Sequence, residues 1–549
     1  MAESIPSERL FPTLTPEQVQ RAASHGGIRV GNRGEVLVER GSANTRFFIV
    51  RTGQLEIVWP DPGELVITPL DSGQFTGETS MLAGRPALVR IRVSESGELI
   101  EIEREQLMLL VQTDSELSDI FMRTFILRRV ELIARGFGDV ALLGSTHSPD
   151  TLRIKEFLTR NNHPYSYIDL DKDRTVQSVL DRFHVSIDDV PVAICRNDVV
   201  LRNPSNEKIA DCLGLNEAID PMHMRDVVIV GAGPAGLAAA VYGSSEGLDV
   251  LVVESSAPGG QAASSSKIEN YLGFPTGISG QDLAGRAYSQ AQKFGAQVMI
   301  AKKASGLLCS RTPYAVSMDE GSPIPTRSIV IATGAQYRRP QLENLGQFEG
   351  NGVYYGATFV EAQLCMGEDV IVIGGGNSAG QAAVFLSKAA NHVYLLVRSS
   401  GLAESMSRYL VRRIEETPAI TLLTNTEITE LDGARQLERV RWRNNKTGKD
   451  ETHDIRHVFV MAGALPNTAW LRGCVVLDGD GFIKTGPDLS PDDLAAAHWP
   501  LARPPYLLET SLPGVFAVGD VRAGNVKRVA SAVGEGSIAI SFVHQLVHE

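Results

Sequence analysis

Twice in this chain an apolar strand runs into a glycine turn that opens a helix. The first turn is Gly231-Ala232-Gly233-Pro234-Ala235-Gly236, after Val227–Val230. The second is Gly374-Gly375-Gly376-Asn377-Ser378-Ala379, after Val370–Ile373. In such a turn the first glycine permits the sharp bend and the second lets the backbone approach a diphosphate. The third lets helix and strand pack closely, and the anion rests on the helix N-terminus, where free N–H groups and the dipole favour it. Each copy continues as a helix and a further strand: Ala238–Glu246 then Val250–Val253, and Gly380–Val384 then Val393–Val397. This weak internal repeat predicts two Rossmann-like domains and two facing nucleotide cofactors, typically a flavin and a nicotinamide. Electrons then enter as hydride.

The residues that end the second strand of each copy differ in charge. Glu254 can accept from both hydroxyls of an adenosine ribose, which suits a nucleotide without a 2′-phosphate. Arg398 holds the equivalent place in the second copy, and a cation there suits NADP over NAD.

At 549 residues the chain is too long for one core and calls for three or four domains. A net charge of -13 argues against nucleic acid as a partner, because phosphate contacts need a basic face. No apolar run reaches membrane-spanning length, and Met1–Pro6 shows no basic-then-apolar leader, so a cytoplasmic protein is expected. The five cysteines are Cys195, Cys212, Cys309, Cys365 and Cys474. None forms a CxxC, and their scatter predicts no disulfide framework. No metal site is expected.

Residues 28 to 104 read as short strands between Gly41, Gly53, Gly73 and Gly84: Phe47–Arg51, Gln54–Val58 and Leu65–Thr68. Arg104 to Ile133 reads as one long helix, so a small all-β barrel followed by a helix is expected. From Gly138, strands (Val140–Leu143, Tyr165–Asp169, Pro191–Ile194) alternate with helices (Asp150–Arg160, Asp173–Phe183), as in a small α/β domain. Glu217 to Arg225 reads as a linker. The expected domains are 1–135, 136–220, 226–340, 341–463 and 464–549, the first and last Rossmann segments together forming one domain.

Residues 226 to 549 resemble the low-molecular-weight thioredoxin reductase family. The motifs are the two fingerprints, Gly259-Gly260-Gln261, Glu269-Asn270, Ala332-Thr333-Gly334-Ala335 and Gly514-Val515-Phe516-Ala517-Val518-Gly519-Asp520, in the family's order and spacing. The resemblance implies FAD at the first fingerprint, with Gly231, Gly233, Pro234, Ala235, Gly236 and Glu254. It implies that Gly259, Gly260, Gln261 and Asn270 line the flavin side and that Gly519 and Asp520 meet the ribityl or phosphate part. Arg528, Val529 and Ala530 would open the last helix near the ring, where a helix N-terminus favours negative charge. NADPH is implied at Gly374, Gly376, Asn377, Ser378 and Arg398, in a domain inserted into the flavin domain, and a homodimer is implied.

Two departures matter. The family's Cys-Ala-Thr-Cys segment is replaced by Gly356-Ala357-Thr358-Phe359, and a disulfide relay needs two sulfurs. Cys365, six residues on, reads as a structural thiol. The family's His-Arg-Arg is here Val397-Arg398-Ser399, with Arg408 a second candidate cation.

The middle unit resembles glutaredoxin or thioredoxin through the helix Thr151–Leu158 and Val190-Pro191-Val192, the family's cis-proline element. Its redox position reads Ser148-Pro149-Asp150-Thr151, without sulfur. Residues 28 to 133 resemble the cyclic-nucleotide-binding domain through Phe47–Gly53 and Phe75-Thr76-Gly77-Glu78. The arginine expected about nine residues on falls at Ala87-Leu88, flanked by Arg85 and Arg90. A cyclic nucleotide or other ligand and a ligand-free packing module both remain open there.

The reading is an NADPH-dependent FAD oxidoreductase without the catalytic cysteine pair, passing electrons to an acceptor the sequence does not name. The alternatives are a nucleotide- or redox-sensing flavoprotein with little turnover, and transfer of the ferredoxin-NADP reductase type. No side chain is assigned as acid, base or nucleophile, and His147, His163 and His184 receive no role.

Overall fold

The computed structural model describes all residues except 1–6, 43–44, 61–63, 78, 83, 135–139, 146–147, 172–188, 196–198, 266, 311, 404–405, 435, 472 and 549. The chain divides into two compact units. One holds Met1–Gly144, Asn161–Asp220 and Ser289–Ala301; the other holds Ser145–Arg160, Pro221–Tyr288 and Lys302–Glu549.

In the first unit, two antiparallel sheets enclose an apolar core. One sheet runs in the order Val36–Val38, Arg90–Glu95, Gln54–Trp59, Leu65–Leu70; the other runs Gly27–Gly31, Gly97–Ile102, Phe47–Val50. Phe47–Val50 is buried on both faces, which is why it reads as an unbroken apolar run. Phe48 and Val50 join Leu55, Ile91 and Val93 between the sheets. Phe47 and Ile49 point the other way, against Leu107, Leu117, Phe121 and Phe125 of the following helices. The long helix expected from 104 is two, Arg104–Thr113 and Ser115–Ala134. Asp114 breaks it: its Oδ1 accepts the backbone N–H groups of Glu116 and Leu117, caps the second helix and competes with continuation of the first.

The α/β sheet of this unit has the order Val199–Arg202, Val192–Cys195, Val140–Gly144, Tyr165–Asp169, the last two parallel. The Val190–Pro191 bond is cis. The helix expected at 173–183 lies outside the described residues.

In the second unit, Arg225–Val230, Val250–Glu254, Ile324–Ile331 and Val515–Ala517 form a parallel core sheet. Tyr314–Met318 and Ala304–Leu308 extend it antiparallel. The helix Pro234–Ser245 is almost entirely alanine, glycine and leucine on its buried positions. It is apolar on all sides because it packs between the sheet and Val529–His548: a Cβ on Gly536 would stand 2.2 Å from the Ala235 carbonyl oxygen.

The chain leaves this domain along Ala335–Tyr337 and returns along Ala464–Pro466, two strands paired antiparallel. Between them lies a second parallel sheet, ordered Val353–Tyr354, His457–Val460, Asp369–Ile373, His392–Leu396, Ile420–Leu423. One nucleotide-binding domain is thus inserted into the other. Pro149–Arg160 belongs to this second unit, with Leu152 in the core of the inserted domain. Among the described residues, no helix is long and apolar enough to cross a membrane.

Candidate cofactor sites

The first fingerprint has the geometry a diphosphate needs. Gly231 has φ +106, and a Cβ there would stand 2.4 Å from the Ala332 carbonyl oxygen; one on Gly236 would stand 1.9 Å from the Gly231 carbonyl oxygen. Backbone therefore occupies the space beside both. Gly233, the N-cap of the helix, meets only the Gly260 Cα, at 4.0 Å. The one open position of the three is the one across which an anion approaches.

Glu254 ends its strand buried, accepting the backbone N–H of Ala232 and of Ser256, both at 2.8 Å. Burial pushes its carboxyl above the usual range, opposed by those two N–H groups and by the charge of Arg160. Gly259 (φ +103) and Gly260 (φ +54) bring the next segment against Gly233, and Gln261 Nε2 donates to the Ala335 carbonyl at 2.6 Å. Asn270 is exposed in a bend. Its neighbour Glu269 accepts from Tyr409 and Arg413 of the inserted domain, each at 3.0 Å.

Gly519 and Asp520 sit in a short 3-10 turn. Glu535, which the sequence reading missed, holds that turn by accepting Gly519 N–H at 2.7 Å and the Arg522 guanidinium at 2.6 Å. Burial raises the Asp520 carboxyl, with Lys527 opposing and Glu535 adding to it. The last helix opens at Val529, with Arg528 and Ala530 exposed. An open position over Gly233, a buried carboxylate at the strand end and an exposed helix start fit an adenine dinucleotide bearing a flavin.

The second fingerprint repeats the pattern. A Cβ on Gly374 (φ +139) would stand 2.5 Å from the Met461 carbonyl oxygen, whereas one on Gly376 would meet open space. Asn377 Oδ1 accepts Ser407 N–H at 2.8 Å, and Arg398 is exposed just beyond its strand. Arg408 starts the helix Arg408–Glu415, also exposed. Tyr337, a further residue missed from sequence, lies on the outgoing strand and hydrogen-bonds Ser378 while lying in the field of Asp520. It therefore relates the second fingerprint to the Gly519–Asp520 turn of the flavin domain, which local sequence pattern does not show.

Where the resemblance places a cysteine pair, a Cβ on Gly356 would lie 3.7 Å from Ser264 Cβ of the flavin domain. Phe359 opens the helix Phe359–Leu364, and its side chain lies outside the described residues. Cys365 is fully buried in the apolar core of the inserted domain, and burial pushes its thiol up to about 11.

The expectation of no disulfide is corrected. Cys309 and Cys474, 165 residues apart, are bonded. The first follows the edge strand Ala304–Leu308 and the second lies in the segment after the chain returns from the inserted domain, so spacing could not reveal the pair. Register places the bond far from the fingerprint. Leu308 pairs with Ala315, Ala315 with Pro325, and Thr326 with Arg225. Cys309 is thus level with the start of the fingerprint strand, about 20 Å along it from Gly231 and three strand spacings, about 14 Å, to the side.

Of the remaining positions, Pro149 packs on the inserted domain, 3.0 Å from a Cβ built on Gly350, and Thr151 N–H donates to Ser148 Oγ at 3.3 Å. His163 is buried; His147, His184 and Glu78 lie outside the described residues. Arg90 is held by Glu39 at 2.9 Å and Glu64 at 2.5 Å, so its charge is met within the domain; Arg85 is buried. No cluster able to hold a metal occurs among the described residues.

Residues 225–536 match the pyridine nucleotide-disulphide oxidoreductase family, and residues 29–114 match the cyclic nucleotide-binding domain. The thioredoxin reductase of Mycoplasmopsis pulmonis is 33% identical over 315 residues, 57% of this chain and 94% of that protein. That of Mycolicibacterium smegmatis is 33% identical over 316 residues, 58% of this chain and 94% of its own. Among solved structures, Lactococcus lactis thioredoxin reductase aligns with a TM-score of 0.52 at 27% identity, covering 59% of this chain and 99% of that one. The T. acidophilum enzyme gives 0.52 at 28%, covering 58% and 98%. These relatives favour neither the sensor nor the ferredoxin-type alternative. The family uses FAD and NADPH, which the two fingerprints fit. With residues 225–536 matching the family, a third of the aligned residues identical to thioredoxin reductases over nearly their whole length, and that part folded as they are, the chain belongs to the pyridine nucleotide-disulphide oxidoreductase family.

Proposed function

We propose that this protein is an NADPH-dependent FAD reductase that delivers electrons to its acceptor without a cysteine relay of its own. FAD, when bound, supplies the chemistry that links a two-electron donor to the acceptor. The residues contribute binding and orientation. Gly233 and Glu254 hold the flavin nucleotide, Gly376 and Arg398 the nicotinamide nucleotide, and Tyr337 hydrogen-bonds Ser378 of the second turn.

The observation that carries this reading is the absence of sulfur at Gly356, in the segment that meets Ser264. Cys365 is buried with its thiol protonated, which makes it a poor nucleophile. The Cys309–Cys474 bond lies at the far end of the sheet, and an exchange relay needs its sulfurs within reach of both donor and acceptor. The acceptor is therefore a molecule that reaches the flavin side directly. A homodimer is proposed on the likeness to the thioredoxin reductases alone.

The test is anaerobic. Flavin absorbance is followed on adding NADPH to the wild type and to a variant with all five cysteines replaced by serine, and oxidised thioredoxin or a quinone is then supplied. Equal flavin reduction in both, with reoxidation by the quinone and not by thioredoxin, is the expected result. Thioredoxin turnover that disappears with the cysteines would overturn the proposal.

A further inference from the structure

Arg160 ends the helix Pro149–Arg160, outside the part of the chain that resembles thioredoxin reductases, yet it reaches the first fingerprint. Its Nη2 donates to the Gly260 carbonyl at 3.0 Å. Gly260 in turn packs on the second fingerprint glycine: a Cβ placed on it would stand 3.1 Å from Gly233 Cα. The guanidinium is also near enough to Glu254 for its charge to act on that buried carboxyl. Arg160 thus lies between the residue that would hold the adenosine ribose and the turn that would hold the diphosphate.

The Nε of Arg160 is itself enclosed by protein, while the residue as a whole stays partly exposed. Gly260, whose carbonyl the guanidinium holds, flanks the open position over Gly233. Its surroundings suit an anion, because the helix Pro234–Ser245 starts there with neither an acidic nor a basic side chain in its first turn. A planar guanidinium with fixed N–H directions matches phosphate oxygens.

From this arrangement we propose that Arg160 is a ligand of the FAD diphosphate, supplied to the flavin site by the thioredoxin-like segment. The inference rests on the reading of the first fingerprint as an FAD site and adds to it a residue from outside the flavoprotein part. The helix has anchors besides Arg160. Gln281 Nε2 donates to the carbonyls of Thr159 at 2.8 Å and Arg160 at 3.2 Å. Leu152 of the same helix is in the core of the inserted domain. Loss of one anchor therefore leaves the helix seated by the others.

The test measures FAD affinity, by the fluorescence of flavin released on dilution of the holoprotein, for wild type, Arg160→Ala, Arg160→Lys and Gln281→Ala. Arg160→Gln replaces the alanine variant if that does not fold. Losing a charge-assisted pair weakens FAD binding by roughly 10- to 100-fold. Arg160→Lys falls between that variant and the wild type, and Gln281→Ala, which loosens docking without touching the charge, stays within about threefold. Raising the salt weakens FAD binding less steeply in Arg160→Ala than in the wild type. Unchanged affinity in Arg160→Ala, or an equal loss in Gln281→Ala, overturns the inference. A wild-type protein that binds no FAD overturns the reading of the fingerprint instead.

Discussion

The carboxyl of Glu156, on the helix Pro149–Arg160, is hydrogen-bonded to that of Glu361 on the helix Phe359–Leu364. Glu361 is buried and also accepts the backbone N–H of Thr358 at 2.8 Å and the Thr358 hydroxyl. Two carboxyl groups share such a bond only when one holds a proton. Burial, then Glu361, raise the Glu156 carboxyl well above the usual range, and Arg160 opposes them.

A pH dependence follows. An unfolded glutamate titrates near about 4.3. Because the folded group holds its proton to higher pH, the stability it contributes is complete below that value and is lost as pH rises toward the raised one. Glu156→Gln keeps a donor toward Glu361 and has no charge to lose. Its melting temperature should exceed that of the wild type by a few degrees at pH 8 and match it near pH 4. Thermal melts across that range check this; an equal shift at both ends refutes it.

Two glycines of the first fingerprint should respond differently to alanine. Gly236→Ala drives a methyl group onto the Gly231 carbonyl and should yield protein that is poorly folded. Gly233→Ala places its methyl in open space at φ -70, which any residue adopts, so folding survives. FAD occupancy falls instead, because the methyl group stands where the diphosphate approaches. Circular dichroism and the ratio of flavin to protein absorbance separate the two outcomes.

Arg398 is exposed at the end of its strand, where a 2′-phosphate would lie. Arg398→Ala should raise the KM for NADPH by roughly 10-fold or more, the worth of a charge-assisted contact, and leave that for NADH nearly unchanged. Steady-state kinetics with both nucleotides and an artificial acceptor decide; equal use of the two by the wild type would refute the assignment.

The Cys309–Cys474 bond closes a loop of 165 residues. A cross-link over so long a loop stabilises by about 2–5 kcal/mol. Reductant should therefore lower the melting temperature of the wild type and leave the Cys309→Ser, Cys474→Ser double variant unmoved. NADPH-driven flavin reduction should persist in both, since the bond is remote from Gly231.

Local pattern was enough for much of this protein. The two fingerprints, the strands that lead into them and the charges at Glu254 and Arg398 are set by residues within about 30 positions of one another, where glycine conformation and apolar alternation decide the structure. The strands Val140–Gly144, Tyr165–Asp169 and Val192–Cys195 and the helix Pro149–Arg160 of the middle segment were legible for the same reason. What depends on distant parts of the chain was not. Asp114 turned one apparent helix into two by capping with its own side chain, which periodicity does not register. Cys309 meets Cys474 because the chain leaves and re-enters the flavin domain around a whole inserted domain. Tyr337, on the strand by which the chain leaves the flavin domain, bonds Ser378 of the second fingerprint and lies in the field of Asp520, more than 180 residues further on. Arg160 and Glu156 reach the nucleotide domains because their helix seats Leu152 in the apolar core of the inserted domain. Sequence spacing records neighbours along the backbone, whereas burial brings together whichever surfaces exclude water best, and those contacts exist only once the domains have packed.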